Sequence, residues 1–258
     1  MRVSVMITMA LITVEAMEHR ACTLQDVEGS FIFAGTGWKE TGPTNLNRQP
    51  YASAGREHYD GKGLIKGLGT TSINGEISRR SIKGAYTVNS DCTVHSEYND
   101  GSTKTLYLGE NGSFVSWIST TPGDTFTSYY QGGRSKISDS AGCSKSTLEG
   151  NYLWSSGVYW TLLDEDGGWV PSARNGIESW DGDGNIIYRG TTSINGVAQA
   201  FDGSDVYSID ENCRISFEEA PFDYYTVEDG SVTAWIDTCS GQCNLGHSII
   251  YSGFAFRT

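Results

Sequence analysis

The sequence predicts an all-β protein made of two tandem antiparallel up-and-down β-barrels. The first observation is an internal repeat, because the seven residues at 69–75 return unchanged at 190–196. The second is composition: glycine and aromatic residues are plentiful and long runs of Leu, Ala, Glu and Lys are absent, which favours strands and turns over helices. The third is a series of Asp-Gly and Asn-Gly pairs, which supply the positive φ angles of tight hairpins.

The repeat keeps one spacing over most of its length. Pairs that stand 121 positions apart include Cys22 and Cys143, Gly29 and Gly150, and Cys92 and Cys213. Trp117 and Trp235 stand 118 positions apart, so the second copy lacks three residues, and we expect that gap in a loop. The repeat divides the chain into a signal segment at 1–16, a first barrel at 17–142 and a second barrel at 143–258.

Each copy is expected to contain about eight short strands. Both copies begin with an aromatic-rich strand, Gly29–Ala34 and Gly150–Trp154, and polar loops are expected at 40–54 and 163–175. The last two strands of the first copy are expected at 114–119 and 125–130. Closure of the strands into a barrel leaves no exposed edge, and an open sandwich is the alternative.

The N-terminus has the pattern of a cleaved secretory signal. An apolar run from Val3 to Val14 precedes Glu15-Ala16, which suits signal peptidase, and the run is too short to span a membrane. A short buried strand or tail is the alternative. The prediction is therefore a protein of the secretory pathway or a secreted one.

Six cysteines in such a chain predict disulfide bonds. The duplication favours Cys22 with Cys92 and Cys143 with Cys213, which leaves Cys239 and Cys243 to pair with each other. A metal site using those last two and His247 is the alternative, but it lacks a fourth ligand nearby. Asn111 begins an Asn-Gly-Ser sequon and is the predicted glycosylation site.

Net charge argues against two classes of partner. The chain carries a formal charge of -13; residues 22–142 hold 11 Lys and Arg against 12 Asp and Glu, whereas residues 143–258 hold 5 against 17. Because such a surface repels phosphates and anionic lipids, we expect neither nucleic acid nor membrane partners. Asp181, Asp183 and Asn185 have the spacing of a calcium loop but lack its glycine and glutamate, so no metal and no cofactor is predicted.

Candidate catalytic residues come from a difference between the copies. Arg56 and His58 alternate on one strand, where the second copy has Ile177 and Ser179. Side chains two residues apart share a strand face, so both could donate to a carbonyl oxygen inside a barrel or at its mouth. The alternative is that this face meets solvent. The aromatic residues predicted to line a substrate cavity are Tyr59, Trp38, Trp117, Trp160 and Trp235, with ordinary barrel core as the alternative.

The duplicated turns at 69–75 and 190–196, the symmetric cysteines and the signal segment together resemble the fungal hetero-Diels–Alderases of tropolone sesquiterpenoid biosynthesis. Each repeat is also similar, more distantly, to allene oxide cyclase and lipocalin barrels. The resemblance implies cofactor-independent cycloaddition of a tropolone o-quinone methide to a humulene-type alkene, with hydrophobic small molecules as partners. It assigns no catalytic residue. A secreted, non-enzymatic lipocalin-like binder of a hydrophobic molecule is the alternative, and the oligomeric state stays open.

Overall fold

The structure is a computed structural model that describes residues 21–40, 48–109, 115–120, 134–137, 142–156, 159–162, 169–227, 229–238, 248–250 and 252–258. Short 3-10 turns at Leu24–Val27 and Lys145–Leu148 precede the two sheets. The strands of the first sheet are β1 Gly29–Glu40, β2 Arg48–Tyr59, β3 Leu64–Ile73, β4 Glu76–Val88, β5 Thr93–Tyr98, β6 Thr103–Leu108, β7 Val115–Ser119 and β8 Arg134–Ile137. Those of the second are β9 Glu149–Ser156, β10 Tyr159–Leu162, β11 Trp169–Asp181, β12 Asn185–Ile194, β13 Val197–Ile209, β14 Arg214–Phe217, β15 Phe222–Thr226, β16 Val232–Asp237, β17 Ser248–Ile250 and β18 Ser252–Arg257.

The two sheets confirm the predicted all-β fold of two barrels. In the second copy, β11 to β16, β18 and β9 pair in a closed ring of eight antiparallel strands, and β10 and β17 extend from β11. In the first copy, eight antiparallel strands run in the order β7-β6-β5-β4-β3-β2-β1-β8 and form a curled sheet. We call these two units the second barrel and the first barrel.

Two strands are longer than the sequence predicts. The predicted loops at 40–54 and 163–175 overlap β2 and β11, so the prediction was wrong for residues 48–54 and 169–175. Proline is tolerated there because Pro50 and Pro171 lie at the hairpin ends, where their carbonyl groups accept the N–H groups of Asn74 and Asn195. The strand expected at 125–130 lies outside the described residues.

The repeated turns have the geometry that their sequences predict. Asn74 and Gly75 have φ of 49° and 83°, and Asn195 and Gly196 have φ of 48° and 83°, so both hairpins turn through two left-handed residues. The turn between β11 and β12 is stabilised by Asp181, whose side chain accepts hydrogen bonds from the backbone N–H groups of residues 183, 184 and 185. Hydrogen bonds from Asn185 lower the pKa of Asp181 to about 2.

The strand register locates the three-residue difference between the copies. Thr93 faces Tyr107 across β5 and β6, and Arg214 faces Tyr225 across β14 and β15. Strand β5 therefore matches β14 at a spacing of 121 residues, and β6 matches β15 at a spacing of 118 residues. The three additional residues of the first copy lie within the hairpin of β5 and β6, whose connecting loop 99–102 is as long as 218–221 in the second copy, so they lengthen the two strands and not the loop, contrary to the expectation.

Both predicted symmetric disulfides are present. Cys22 bonds to Cys92 and Cys143 to Cys213, each across 70 positions of sequence. They are compatible with an extracellular or secretory-pathway protein. Cys239, Cys243, Asn111 and the predicted signal segment 1–16 lie outside the described residues. Within the described ranges, no helix is long and apolar enough to cross a membrane.

The barrels pack against each other through the outer faces of β1 and β2. Ile32, Ala34, Ala52 and Ala54 form one apolar cluster with residues of the second barrel, namely Tyr225, Val227, Val232, Ala234 and Ile236. The opposite faces of β1 and β2 line the interior of the first barrel, where Phe31, Phe33 and Tyr59 are buried. Around Ile32, Ala34, Ala52 and Ala54, these two strands are thus buried on both faces.

Candidate functional site

Arg56 and His58 lie on the outer face of the first barrel, in a groove beside the second barrel. Both belong to β2 and are half-buried. The groove has a volume of about 530 Å³, and Glu211 and Asn212 contribute to its wall from the second barrel. We call it the inter-barrel groove. The two residues share one face, as the alternation predicts, but that face does not line a barrel interior.

The sheet register orients His58. Ser30 on β1 is the cross-strand partner of His58, and its Oγ lies 3.0 Å from His58 Nδ1. When the Ser30 hydroxyl donates to Nδ1, the neutral imidazole carries its proton on Nε2 and is a hydrogen-bond donor at that atom. Ser30 itself is buried, so the contact is held in a fixed place.

Positive charge and apolar surface meet in the inter-barrel groove. Lys66 and Lys83 line it together with Arg56 and His58, and Leu68 contributes an apolar wall. Glu211 is the acidic residue of its lining. An oxyanion or a polarised carbonyl oxygen would be attracted here, although the whole chain carries a charge of -13.

Of the predicted aromatic residues, the three whose side chains the structure describes lie in three different places. Tyr59 is fully buried inside the first barrel and Trp235 is buried inside the second. Strand alternation puts Trp38 on the same face of β1 as Ile32. That face is the outer face of the first barrel. The backbones of Trp117 and Trp160 lie in β7 and β10, and their side chains are outside the described part of the structure.

A second concavity lies inside the first barrel and contains a buried ion pair. The carboxylate of Glu57 is completely buried and accepts hydrogen bonds from Tyr59 Oη at 3.1 Å and Tyr98 Oη at 3.3 Å. Lys104 Nζ lies 3.4 Å from Glu57 Oε1 and 4.9 Å above the ring centroid of Phe33. The concavity has a volume of about 280 Å³, and we call it the first-barrel cavity.

The second barrel keeps the buried glutamate but not the lysine. Glu178 corresponds to Glu57 and accepts hydrogen bonds from Tyr224 Oη at 2.8 Å and Trp180 Nε1 at 3.1 Å. The position that corresponds to Lys104 is Phe222, by the register of β6 and β15. Burial raises the pKa of Glu178 to about 7, although the hydrogen bonds from Tyr224 and Trp180 act in the opposite direction and lower it.

Sequence reasoning did not identify Glu57, Lys104 or Glu178 as functional candidates. Glu57 and Glu178 do keep the 121-residue spacing, and each stands two residues before an aromatic residue on the same strand face. That pattern could have indicated a buried carboxyl in each barrel. Nothing comparable indicates Lys104, because its partner is reached across the barrel interior and not along the chain.

The described residues contain no group of three or more His, Cys, Asp or Glu side chains placed to hold a metal ion. The side-chain donors that line the two concavities are hydroxyl, amide, ammonium, guanidinium and imidazole groups. Their chemistry is hydrogen bonding, charge stabilisation and proton transfer.

Comparison with known proteins gives distant structural neighbours. No family model matches the chain, and no curated protein matches it. An AttH candidate from Nitrosomonas europaea is 12% identical, with 96% of this chain and 98% of that chain covered at a TM-score of 0.30. A porin-like protein from Bacteroides uniformis is 9% identical, with 89% of this chain and 97% of that chain covered at a TM-score of 0.19.

Proposed function

We propose that the protein is a cofactor-independent cyclase that joins a tropolone o-quinone methide to a humulene-type alkene by hetero-Diels–Alder addition, in the inter-barrel groove. The observation that carries the proposal is the placing of Arg56 and His58 side by side in a groove that also has apolar surface. The chemistry needs a donor on the heterodiene oxygen and a fixed orientation of the two reactants.

Volume favours the groove over the first-barrel cavity for this reaction. Pockets for drug-sized ligands measure about 300–1,000 Å³. The groove, at about 530 Å³, is inside that range, whereas the cavity, at about 280 Å³, is below it. The larger volume therefore favours the groove for holding two reactants together.

The mechanism follows from the donors. Arg56 and the Nε2 side of His58 would hydrogen-bond to the oxygen of the quinone methide, where negative charge develops in the transition state before the carbon–oxygen bond is complete. Lys66 and Lys83 would add to the positive potential at that oxygen. The apolar wall at Leu68 would receive the alkene and keep water from the reactive quinone methide.

The test combines the purified protein with a quinone methide generated in place and humulene, followed by chiral chromatography of the adducts. We expect the protein to raise the rate and bias the product ratio, and we expect Arg56→Ala and His58→Ala each to lower the rate at least about tenfold. Arg189→Ala and His95→Ala are the matched controls, because both side chains are exposed and lie outside the groove.

Two results would count against the proposal. If the product ratios stay the same when the wild-type protein is added, the protein does not catalyse this reaction, and the lipocalin-like binder is favoured. Full rates in both Arg56→Ala and His58→Ala would remove these two donors from the mechanism. Thermal unfolding of each variant, followed by tryptophan fluorescence, separates a lost donor from a lost fold.

A further inference from the structure

We propose that the inter-barrel groove binds an amphipathic organic anion, with the charged oxygen of the ligand held between Lys66 and Lys83. The inference assigns a charge to the ligand of the groove, which the proposed cycloaddition does not require. It rests on the proposed function only for the choice of tropolonate as the test anion, because the groove and its charges belong to the structure itself.

Three basic side chains of the groove form a row across adjacent strands. His58 on β2 is the cross-strand partner of Lys66 on β3, and Lys66 is the partner of Lys83 on β4. All three residues line the groove, and Arg56 lies two residues from His58 on the same face. Directly opposed residues of antiparallel strands have Cβ atoms about 4.5–5.5 Å apart. One ligand oxygen can therefore reach both ammonium groups of the row.

The protein does not neutralise this row. Among the described residues that line the groove, three are permanently cationic and one, Glu211, is a carboxylate. Neither Lys66 nor Lys83 forms an ion pair with a carboxylate in the described part of the chain. Glu97, which lies diagonally from Lys83 across β4 and β5, contacts His95 at 3.5 Å. An entering ligand therefore meets a net positive lining, in a chain whose total charge is -13.

The second copy forms the same strands without any of these charges. The basic residues have uncharged counterparts at the 121-residue spacing, which are Ile177 for Arg56, Ser179 for His58, Ile187 for Lys66 and Ser204 for Lys83. Ile187 and Ser204 are cross-strand partners, as Lys66 and Lys83 are in the first copy. Like charges directly opposite each other in a sheet are destabilising. The first copy therefore carries a repulsion that the fold does not need, and an anion bound between the two lysines turns it into an attraction.

The groove also has room and surface for an apolar body beside the charge. Leu68 is two residues after Lys66 on β3 and contributes the apolar wall. The aliphatic stems of exposed lysines add to this surface, because only the ammonium group needs water. The volume of about 530 Å³ is that of a site for a drug-sized ligand, and inorganic phosphate would leave most of it empty. These features favour an organic anion over an inorganic one.

The test is calorimetric titration of the full chain at mildly alkaline pH with tropolonate and with tropone, a neutral ring of the same size. We expect tropolonate to bind one-to-one and at least about tenfold more tightly than tropone, because two ammonium groups attract its ionised oxygen. Lys66→Met and Lys83→Met should each weaken tropolonate binding about three- to tenfold, since both lysines are exposed and partly screened. The double variant should bind tropolonate and tropone alike.

Salt and phosphate provide two further comparisons. Because salt screens exposed charges, added sodium chloride should weaken tropolonate binding and leave tropone binding unchanged. Inorganic phosphate should not displace tropolonate at equal concentration. Displacement under that condition would show a site for inorganic anions and would overturn the assignment of an amphipathic ligand.

The variants also separate a binding role of the lysines from a structural one. Without ligand, Lys66→Met should be at least as stable to heat as the wild type, because it removes a repulsion. Lower thermal stability with unchanged tropolonate affinity would show that the lysine serves the fold and would overturn the proposal. Lys62→Met, which removes an exposed lysine outside the groove, is the matched control and should leave tropolonate affinity unchanged.

The charge of the ligand and the cycloaddition are tested separately. A preference for tropolonate that depends on Lys66 and Lys83, without acceleration of the cycloaddition, supports the anion site and counts against the proposed function alone. Acceleration of the cycloaddition with equal affinities for tropolonate and tropone overturns the anion site alone. A tropolonate preference that falls equally in Lys62→Met reflects the charge of the whole chain and overturns the anion site as well.

Discussion

At the scale of single residues, the protonation of Glu178 should affect stability. Its pKa is raised by burial from 4.5 to about 7, so between these values the folded state keeps a proton that the unfolded state loses. The free energy of unfolding should therefore decrease by roughly 3 kcal/mol as the pH rises from about 4.5 to about 7, and stay level above that. Urea unfolding measured across this pH range gives the slope.

Glu178→Gln should remove this pH dependence, because glutamine resembles the protonated carboxyl. At pH 8 the variant should be more stable than the wild type, by up to roughly 3 kcal/mol, and at pH 5 the two should be nearly equal. Glu149→Gln, which changes an exposed carboxylate of the same barrel, is the control. A variant that is less stable than the wild type at both pH values would show that the carboxylate is needed for packing.

The sequence predicted which residues share the face of β2, but not where that face lies. Arg56 and His58 alternate with Glu57 and Tyr59, so both faces carry a polar or charged group and the usual contrast between core and solvent is absent. The physical reason is that one face of β2 lines the barrel interior, whereas the other meets the second barrel, directly at Ala52 and Ala54 and across the inter-barrel groove at Arg56 and His58. A single sequence gives no signal for the second of these contacts.

At the level of elements, the two disulfides provide a matched pair. Each bond closes 70 positions of chain, and loop-closure entropy assigns about 4 kcal/mol to a loop of that length. The variants Cys22→Ser with Cys92→Ser, and Cys143→Ser with Cys213→Ser, should therefore lose similar amounts of stability. Urea unfolding of both variants beside the wild type tests this, and losses that differ by more than about 2 kcal/mol would show that native-state packing outweighs chain entropy.

Turns and disulfides could be predicted because their determinants are local or duplicated. The Asn-Gly pairs specify left-handed residues at a fixed place, and equivalent cysteines must bond equivalently in a tandem repeat. Strand ends could not be predicted equally well. Residues 48–54 and 169–175 have loop-like composition, yet cross-strand pairing with β1 in one copy and with β12 and β10 in the other makes them strands.

For the whole molecule, the two copies differ in net charge, and an ion pair joins them where they meet. Asp223 of the acidic second barrel is buried and lies against Arg79 of the first. Burial by itself would raise the pKa of Asp223, but hydrogen bonds from Arg79, Arg214 and Thr70 outweigh it and hold the pKa below its usual value. The duplication predicted two barrels, whereas this contact joins residues 144 positions apart and has no sequence signal.

Asp223 therefore links the two barrels, and its removal should destabilise their packing. Arg79 Nε and Arg214 Nη2 each donate to its carboxylate at 2.8 Å, and Thr70 Oγ1 donates at 2.6 Å. Breaking a buried pair costs about 3–5 kcal/mol, but half of the Arg79 side chain is exposed and water screens that part. We expect Asp223→Ala to lower the free energy of unfolding by about 2–3 kcal/mol.

The same variant should also change how the protein unfolds. Since Asp223 joins the barrels, Asp223→Ala should separate their urea transitions when these are followed by tryptophan fluorescence and by circular dichroism, whereas the wild type should show coincident transitions. Asp202→Ala, which changes an exposed carboxylate on β13, is the control and should leave both curves unchanged.

Asp223→Ala should be less stable than the wild type only above the acidic range, because protonation of Asp223 weakens the wild-type ion pair as the pH falls through its lowered pKa. A variant that matches the wild type at neutral pH would mean that the apolar cluster around Ile32 and Tyr225 holds the barrels together without this charge.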